Sequence, residues 1–235
     1  GYTKSMDQGC WKQFEKIFTV SKEAKRHFQA FYPEYAEKVF VFHTYIDRDM
    51  ICLRAKEKGG FSDNFDGMRL LTVGRLTYHK AYDIAIEAMS ILKRSGRKIR
   101  WYVLGEGEQR KRLEKMIDAF GLKEDFLLLG AVENPYPYYA QADIYVHATR
   151  FEGKSIAIQE AQILGCAIVA SDCGGNRELI TDGEDGVLCE LTPQAVADSI
   201  EGLLENEGKR KKLGRMAKSR EISQEMQTNG RDFVI

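Results

Sequence analysis

Beyond residue 67, the chain alternates short runs of β-branched and aromatic residues with longer stretches whose apolar positions repeat at helical spacing. Residues 69–73 are typical of a strand that stops at Gly74, and residues 84–92 then carry apolar side chains on one face of a helix. This alternation is typical of a parallel sheet with helices on both faces, the Rossmann-like α/β fold class. Further strands are predicted at residues 99–104, 126–129, 144–148, 167–171 and 187–189, with helices between them and after Thr192.

The first part of the chain carries a weaker pattern, in which two short strands flank one helix within residues 16–42. Two strands and one helix cannot cover both faces of a sheet, so this segment needs another part of a protein to pack against. Residues 56–67 are polar and contain glycine, as expected of a linker. We therefore predict one domain at residues 63–235, ending in helices, preceded by the end of another domain and a linker at residues 1–62.

Composition narrows the classes of function to consider. The 235 residues include 35 Lys and Arg and 35 Asp and Glu, so the formal net charge is zero, which argues against a dedicated nucleic-acid binder. The five cysteines form no C-x-x-C pair, which argues against a zinc site. No apolar run approaches the ~18 residues of a membrane span, and no secretory signal is recognisable, so we expect a cytoplasmic protein. A small-molecule site or a protein-binding surface remains.

A candidate phosphate site lies at residues 150–161, where a strand is followed by Gly153-Lys154-Ser155 and then a helix. The free backbone N–H groups at the start of a helix, together with the positive end of its dipole, favour an anion. A Walker A motif is set aside, because it needs a glycine where this chain has Ala148.

Glu160 lies about two turns along the same helix, on a stripe that it shares with Ile156, Ile163 and Leu164. A carboxylate on an apolar stripe is costly to bury unless it binds a partner. Two interpretations stay open at this point: Glu160 binds a ligand, or it pairs with a neighbouring arginine.

A second cluster, from Gly74 to Lys80, follows the first strand of the predicted domain. Ligands of open α/β sheets bind beyond the carboxyl ends of the strands, and the cations Arg75 and Lys80 would suit a diphosphate there. The alternative is that both cations belong to a solvated surface.

Three other patterns are weaker. Residues 105–107 have the G-x-G of a dinucleotide site, but Arg110 stands where the third glycine belongs, so we expect no nicotinamide cofactor. Residues 47–49 have the D-x-D form of a metal site, yet such carboxylates are usually solvated, and we predict no bound metal. Seven basic residues within 209–220 predict a solvated helix or, alternatively, one that contacts anionic lipid.

Several of these segments occur together, in the same order, in one known family. Glu152 and Glu160 form an E-x7-E pair. The pair and its surroundings resemble the donor half of the GT-B glycosyltransferases in the large retaining family 4, the glycosyl transferases group 1, over residues 70–204. The other matching segments are Gly74-Arg75-Leu76 with Lys80, Leu104-Gly105-Glu106-Gly107, Gly165 to Ser171, Gly174 to Ile180 and Gly183 to Leu188.

The resemblance implies a role for each candidate residue. Arg75 and Lys80 would hold the donor diphosphate and, with Glu152 at the transferred sugar, form the catalytic group. Glu160 would accept hydrogen bonds from the ribose, and the base would lie near Val132. The full set of donor-binding residues implied in this way is Gly74, Arg75, Lys80, Val132, Glu152, Lys154, Ser155, Ile156 and Glu160.

The resemblance further implies that no cofactor or metal is required. Residues 1–62 would be the residual end of the N-terminal, acceptor-side domain, and 63–235 the nucleotide-sugar donor-binding domain. The chain begins with Gly1 rather than Met, so we expect an excised piece that is inactive without the missing N-terminal domain. The family often has glycine where this chain has Ala81, and Phe-Gly where it has Lys154-Ser155, so the identity of the donor does not carry over.

The expected function is therefore the transfer of a sugar, with retention, from a nucleotide-diphosphate sugar to an acceptor in bacterial surface polysaccharide or glycoconjugate synthesis. A UDP-sugar is the first choice of donor, with GDP- and ADP-sugars as alternatives, and peripheral contact with the inner face of the membrane stays open. One rival hypothesis is a GT-B-like nucleotide-sugar 2-epimerase, for which His79 and His147 are the local candidates. The other is a non-catalytic Rossmann-like module that binds a partner protein.

Overall fold

The computed structural model describes residues 9–220, and these fall into two compact units. The first ends at Ile46 and the second begins at Asp47, whereas we predicted a domain boundary between residues 62 and 63. The difference arises because a short helix after Asp47 packs within the second unit. That the preceding residues end an acceptor-side domain stays a prediction, and residues 221–235, predicted to continue the donor domain, lie outside the described residues.

The first unit contains the two strands and the helix that the sequence predicts. Strand β1 (Ile17–Thr19), helix α1 (Lys22–Phe31) and strand β2 (Val39–Val41) follow one another along the chain. The two strands pair in parallel, and the hydroxyl of Ser21 accepts a hydrogen bond from the amide of Ala24 at the start of α1. This unit is thus a small β-α-β arrangement with a two-stranded sheet.

The second unit alternates helices and strands in the predicted order. Its first element is helix α2 (Arg48–Arg54), in which Ile51 is buried. The elements that follow are β3 (Met68–Val73), α3 (Tyr82–Lys93), β4 (Ile99–Leu104), α4 (Arg110–Ala119), β5 (Phe126–Gly130), α5 (Tyr136–Gln141), β6 (Ile144–His147), α6 (Ile156–Leu164), β7 (Ala167–Ser171), α7 (Gly174–Arg177), β8 (Val187–Cys189), α8 (Pro193–Glu205) and α9 (Glu207–Ser219).

The strands of the second unit form one parallel sheet in the spatial order β5-β4-β3-β6-β7-β8. Numbered from β3 as the first strand, this order is 3-2-1-4-5-6, which is that of the doubly wound dinucleotide-binding folds. The direction of strand addition reverses between β3 and β6, where Leu70 lies opposite Ile144. Ligands of such sheets bind beyond the carboxyl ends of the two strands at this reversal.

Helices cover both faces of the sheet, which confirms the predicted fold class. Helices α3 and α8 pack together over one face, in the core cluster that includes Leu70, Trp101 and Val146. Strand residues alternate in direction, so Tyr145 points to the opposite face, where its ring lies 5.2 Å from that of Tyr139 in α5. Burial on both faces explains why the strands read as nearly continuous apolar runs.

The basic helix α9 packs directly against α6 and β7. Gly165 ends α6 in the left-handed conformation, with φ of 76°. A side chain at Gly214 of α9 would overlap the carbonyl oxygen of Gly165, so the approach of the two backbones requires a glycine at residue 214. The predicted helix is therefore a fixed part of the second unit.

The predicted linker contains no helix or strand, but its side chains hold it against β3 and β4. Asp63 accepts hydrogen bonds from the hydroxyl of Tyr102 (2.5 Å) and from Arg100 (3.0 Å). Burial opposes ionisation of Asp63, but these donors, with Arg69 of β3, lower its pKa to about 2. The segment around Asp63 is thus tied to the sheet rather than free.

A buried polar relay crosses the centre of the sheet and provides a test of the strand order. The indole N–H of Trp101 donates to Thr72 Oγ1 (2.9 Å), and Thr72 Oγ1 donates to the carbonyl of Val146 (2.7 Å). We predict that Thr72→Val lowers the free energy of unfolding by about 1–3 kcal/mol, because it leaves the indole N–H buried without a partner. Thr72→Ser keeps the hydroxyl and should lose about 0.8 kcal/mol for one buried methyl group. Urea titration followed by circular dichroism measures both, and equal losses would contradict the relay.

Candidate functional site

The predicted diphosphate-binding loop leaves β3 at the crevice between β3 and β6. The amide of Gly74 donates to the carbonyl of Leu104 (2.9 Å), and the carbonyl of Gly74 accepts from the hydroxyl of Tyr82 (2.8 Å). Arg75 follows and is exposed. Within residues 9–220, its side chain makes no hydrogen bond or ion pair. Its guanidinium group is therefore available to an anion in the crevice.

The backbone of the G-x-G segment after β4 packs directly against this loop. A Cβ at Gly107 would lie 2.5 Å from the carbonyl oxygen of Leu76, and one at Gly105 would overlap the carbonyl oxygen of Gly74. The amide of Leu76 donates to the carbonyl of Glu106 (2.9 Å). These two glycines permit close contact with the loop that carries Arg75, which is a role that the sequence alone does not reveal.

Lys80 ends a 3-10 turn, Tyr78–Lys80, that is fastened to the segment after β6. The carbonyl of His79 accepts from the amide of Arg150 (2.8 Å) and from the hydroxyl of Thr149 (2.9 Å). Arg150 also bonds in bidentate geometry to Asp83, at 3.0 and 2.7 Å, across the same gap. Lys80 is thus held beside the end of β6 by both backbone and side-chain bonds.

Ala81, which stands where the resembled family often has glycine, has a left-handed backbone with φ of 46°. That conformation places Cβ close to the following carbonyl oxygen and costs roughly 1–2 kcal/mol for a residue other than glycine. The turn that presents Lys80 therefore requires a left-handed backbone at residue 81, which explains why the family often has glycine there. Ala81 tolerates it in a fully buried position at the start of α3.

Two of the predicted catalytic side chains are in direct contact. Lys80 Nζ lies 2.5 Å from Glu152 Oε2, and His147 Nε2 lies 3.0 Å from the same oxygen. Lys80 follows β3 and Glu152 follows β6, so the pair bridges the strand reversal. Among the described residues, Glu152 Oε1 has no hydrogen-bond partner.

The hydrogen-bond partners of His147 assign its tautomer. An ionised carboxylate only accepts, so Nε2 of His147 carries the hydrogen toward Glu152. Nδ1 is then an acceptor, and the hydroxyl of Tyr145 donates to it at 3.1 Å in preference to the carbonyl of Val73, which lies farther away at 3.4 Å. Burial lowers the pKa of His147, which keeps the ring neutral. Burial opposes ionisation of Glu152, but hydrogen bonds from His147 and Lys80 bring its pKa to about 2. The site therefore holds an anionic Glu152 between an ammonium group and a neutral imidazole.

Glu160 is bound by tyrosines and not by an arginine. The hydroxyl of Tyr139 donates to Glu160 Oε2 (3.0 Å), and the hydroxyl of Tyr136 is a second partner. Burial raises the pKa of Glu160 despite these two donors. No side chain in the described residues neutralises its charge, which is the arrangement expected of a carboxylate that receives hydrogen bonds from a ligand.

The other predicted residues lie at the opening of α6 and at the end of β5. Ser155 is buried, and its hydroxyl caps α6 by accepting from the amide of Ile158 (3.2 Å). Lys154 is half-buried and Ile156 is exposed at the same helix start. Val132 is half-buried two residues after β5, which lies two strands away from β3.

Sequence reasoning missed the side chains beneath the two glutamates. From the sequence alone, Tyr139 and Tyr145 are interpreted as apolar positions of a helix and a strand. His147 is considered only as a candidate residue of an epimerase. The available signal was two polar tips, Tyr145 and His147, on one face of a strand that is otherwise apolar. Gly175 was likewise quoted only as part of a matching segment, although a side chain there would overlap the carbonyl oxygen of Glu152.

Neither a metal cluster nor a membrane-spanning helix occurs in the part of the chain that the structure describes. No group of three or more His, Cys, Asp or Glu side chains there could hold a metal ion. Asp47 of the D-x-D segment instead starts α2 by accepting from the amide of Met50 (2.8 Å). Among these same residues, no helix is both long enough and apolar enough to cross a bilayer.

The chain is similar to a known protein family over most of its length. The sequence pattern of the family described as glycosyl transferases group 1 matches residues 58–220, well over half of the chain. The chain belongs to this family, as its resemblance indicated.

Named relatives extend the comparison. A Campylobacter jejuni protein, N-acetylgalactosamine-N,N'-diacetylbacillosaminyl-diphospho-undecaprenol 4-alpha-N-acetylgalactosaminyltransferase, is 33% identical over 186 residues, which are 78% of this chain and 49% of that protein. The alpha-D-kanosaminyltransferase of Streptomyces kanamyceticus is 31% identical over 152 residues, 63% of this chain and 39% of the relative. The chain thus spans about half the length, or less, of these two relatives.

Solved structures share the fold. The crystal structure of Anabaena HepE in complex with UDP has a TM-score of 0.79 at 18% identity and covers 93% of this chain and 63% of that chain. The C-terminal domain of the group 1 glycosyl transferase LpcC from Francisella tularensis has a TM-score of 0.59 at 26% identity and covers 64% of this chain and 82% of that domain.

The contact between Gly175 and Glu152 yields a test of how the site is held. We predict that Gly175→Ala lowers the free energy of unfolding by about 1–3 kcal/mol, because the added methyl group forces the backbone of Glu152 to move. Gly202→Ala is the matched control, since Gly202 lies within α8 with no atom near its Cβ position, and it should raise stability by about 0.5–1 kcal/mol. Thermal unfolding of the three proteins measures the difference, and two changes of the same sign would refute this account.

Proposed function

We propose that this chain is the donor-binding part of a retaining glycosyltransferase that takes its sugar from a nucleotide-diphosphate sugar. The observation that carries the proposal is the Lys80–Glu152 pair at the strand reversal, with Arg75 in the loop after β3 and Glu160 in α6. Two cations, carboxylates that can accept hydrogen bonds and the start of a helix lie together there. The cations and the helix start suit a diphosphate, and the carboxylates suit sugar hydroxyls. Membership in the glycosyl transferases group 1 supports it.

In the proposed reaction, the bond between the anomeric carbon and the diphosphate oxygen breaks while the acceptor oxygen bonds to that carbon on the same face of the sugar. The proton of the acceptor hydroxyl passes to the departing diphosphate. Negative charge builds on the departing diphosphate. Arg75 and Lys80 stabilise that charge more in the transition state than in the ground state, which lowers the barrier. The amides at the start of α6, near Lys154 and Ile156, add partial positive charge. These groups act without a bound metal or cofactor in the proposal.

Each end of the donor has its own contacts in this proposal. Glu152 Oε1 accepts a hydrogen bond from a hydroxyl of the transferred sugar, and Glu160 accepts from the ribose hydroxyls. The base lies against the backbone near Val132. The acceptor binds to an N-terminal domain whose residual end, with the linker, would be residues 1–62.

The names of relatives support a donor and an acceptor class. Two Anabaena HepE structures are described with UDP and with UDP-glucose, and the C. jejuni relative is named for the transfer of N-acetylgalactosamine to a diphospho-undecaprenol substrate. We propose a UDP-sugar as donor, with GDP- and ADP-sugars as alternatives, and a polyprenol-linked or polysaccharide acceptor of bacterial surface synthesis at the cytoplasmic side of the membrane.

Calorimetric titration tests the donor site. UDP should bind more tightly than GDP or ADP, and Arg75→Ala should weaken UDP binding at least ~10-fold, because a charge-assisted contact with phosphate is worth about 1.5–3 kcal/mol. Arg112→Ala, which removes an exposed arginine from α4, is the control and should change nothing. Failure of all three nucleotides to bind the folded chain would reject the proposal and favour a partner-binding module.

The ribose contact has a sharper test of its own. Wild-type protein should bind 2'-deoxy-UDP at least ~5-fold more weakly than UDP, since the half-buried carboxylate of Glu160 then loses a donor. Glu160→Ala should bind UDP and 2'-deoxy-UDP equally. A preference for UDP that persists in Glu160→Ala would show that Glu160 does not contact the ribose.

Incubation with a UDP-sugar and no acceptor, followed by product analysis, would reveal an epimerase.

We also propose that α9 touches anionic lipid, because five cations of this helix are exposed: Lys209, Lys211, Lys212, Arg215 and Lys218. Met216 lies among them with its side chain half exposed. A polyprenol-linked acceptor would be presented at such a surface. Basic side chains near an anionic leaflet contribute about 1 kcal/mol each, and salt screens them.

Vesicle sedimentation tests this contact. The chain should bind vesicles that contain phosphatidylglycerol and not pure phosphatidylcholine, and Lys211→Glu with Lys212→Glu and Arg215→Glu should weaken that binding by at least ~10-fold.

The control for the vesicle experiment reverses the same number of charges on exposed residues of α4, with Lys111→Glu, Arg112→Glu and Lys115→Glu. Equal losses in both triple variants would mean that only net charge matters and that α9 has no special contact.

A further inference from the structure

A buried row of side chains lies beneath the candidate site on one face of the sheet and joins its two glutamates. The tip of Tyr139 bonds to Glu160 at 3.0 Å, and the rings of Tyr139 and Tyr145 lie 5.2 Å apart. Tyr145 bonds to His147 at 3.1 Å, and His147 bonds to Glu152 at 3.0 Å. Tyr139, Tyr145 and His147 are each at most 1% exposed, so the row is buried and closely packed.

The row acts on Glu152 through a single oxygen. His147 Nε2 and Lys80 Nζ both bond to Oε2, whereas Oε1 has no partner among the described residues. A diphosphate in the site competes with Glu152 for the ammonium group of Lys80. When Lys80 turns toward that diphosphate, the bond from His147 is the one that still holds Glu152, because it comes from the buried side of the site.

We infer that His147 is a positioning residue, which holds Glu152 from beneath through its Nε2–H group so that Oε1 faces the transferred sugar while Lys80 holds the diphosphate. Tyr145 supports this by donating to Nδ1, which favours the same tautomer that the carboxylate of Glu152 requires. The inference rests on the proposed function, since it assigns Glu152 to the sugar end of a nucleotide-sugar donor.

A positioning role for His147 predicts different effects on the binding of a UDP-sugar and on the binding of UDP. His147 reaches Glu152 and no other predicted donor contact, so its loss should weaken the binding of a UDP-sugar and leave that of UDP nearly unchanged. A purely structural role would weaken both ligands together, since a disturbed core moves the whole site.

The test compares wild type, His147→Leu and His147→Gln by calorimetry with UDP, UDP-glucose and UDP-N-acetylgalactosamine. Leucine removes the N–H donor while filling the space, and glutamine keeps an N–H near the position of Nε2. For the UDP-sugar that wild type binds best, His147→Leu should lose at least ~10-fold in affinity, with UDP within about 2-fold of wild type. His147→Gln should recover most of the loss.

A second measurement does not depend on the choice of sugar. Long-range proton–nitrogen NMR of the wild-type imidazole ring at neutral pH should show a hydrogen on Nε2 and none on Nδ1. Tyr145→Phe should keep the hydrogen on Nε2, because the carboxylate of Glu152 still accepts from that group.

Several outcomes would overturn the inference. These are an unchanged ratio of UDP-sugar to UDP affinity in His147→Leu, an equal loss for both ligands, no recovery in His147→Gln, or a hydrogen on Nδ1 in wild type. Wild-type binding of UDP with no binding of either UDP-sugar would also overturn it. Failure of wild type to bind any nucleotide is a different result, which rejects the proposed function itself.

Discussion

Strand β3 pairs with β6, although two strands and three helices lie between them in the chain. Parallel strands end at the same edge of a sheet, so the loop after β3 and the loop after β6 emerge side by side. Lys80 comes from the first loop and Glu152 from the second, and they meet at 2.5 Å. The pairing depends in turn on the burial of both faces, because a parallel sheet of this kind is stable only when helices cover it on each side.

Close contacts between backbones determine how accurately these loops are placed. Gly105 and Gly107 let the turn after β4 touch the loop that carries Arg75, and Gly175 lets the segment after β7 touch Glu152. Each contact fixes the backbone that carries a charged side chain. Only the end of that side chain then needs to be held by hydrogen bonds. The overall neutral charge of the chain therefore coexists with a crevice whose exposed Arg75 has no anionic partner among the described residues.

Much of the fold could be predicted because its signals are local. The strands and helices after residue 67 follow from apolar periodicity and from glycine at their ends, as at Gly165. Helix α2 was not recognised, because seven residues give too short a repeat and Asp47 resembled a metal ligand rather than a cap. The compact units divide between Ile46 and Asp47, and the division into an acceptor-side and a donor-side domain stays a prediction.

The sequence predicted the positions of the site residues but not their hydrogen-bond partners. The positions of Arg75, Lys80, Glu152 and Glu160 followed from strand ends, a helix stripe and a family pattern. Their partners did not follow, because a sequence gives no distances between elements. Glu160 could have been paired with an arginine or a ligand, and only the packing of α5 on α6 shows that tyrosine hydroxyls reach it.

Helix α6 connects two features that are far apart in the sequence. Its start opens onto the candidate diphosphate site, and its end at Gly165 touches Gly214 of the basic helix α9. Nine residues of α-helix are about 14 Å long, at roughly 1.5 Å per residue. Helix α6 is thus a rigid spacer between the candidate diphosphate site and α9. If α9 binds a bilayer as proposed, this spacer sets the distance from the bilayer to that site, and with it the reach that a proposed lipid-linked acceptor needs.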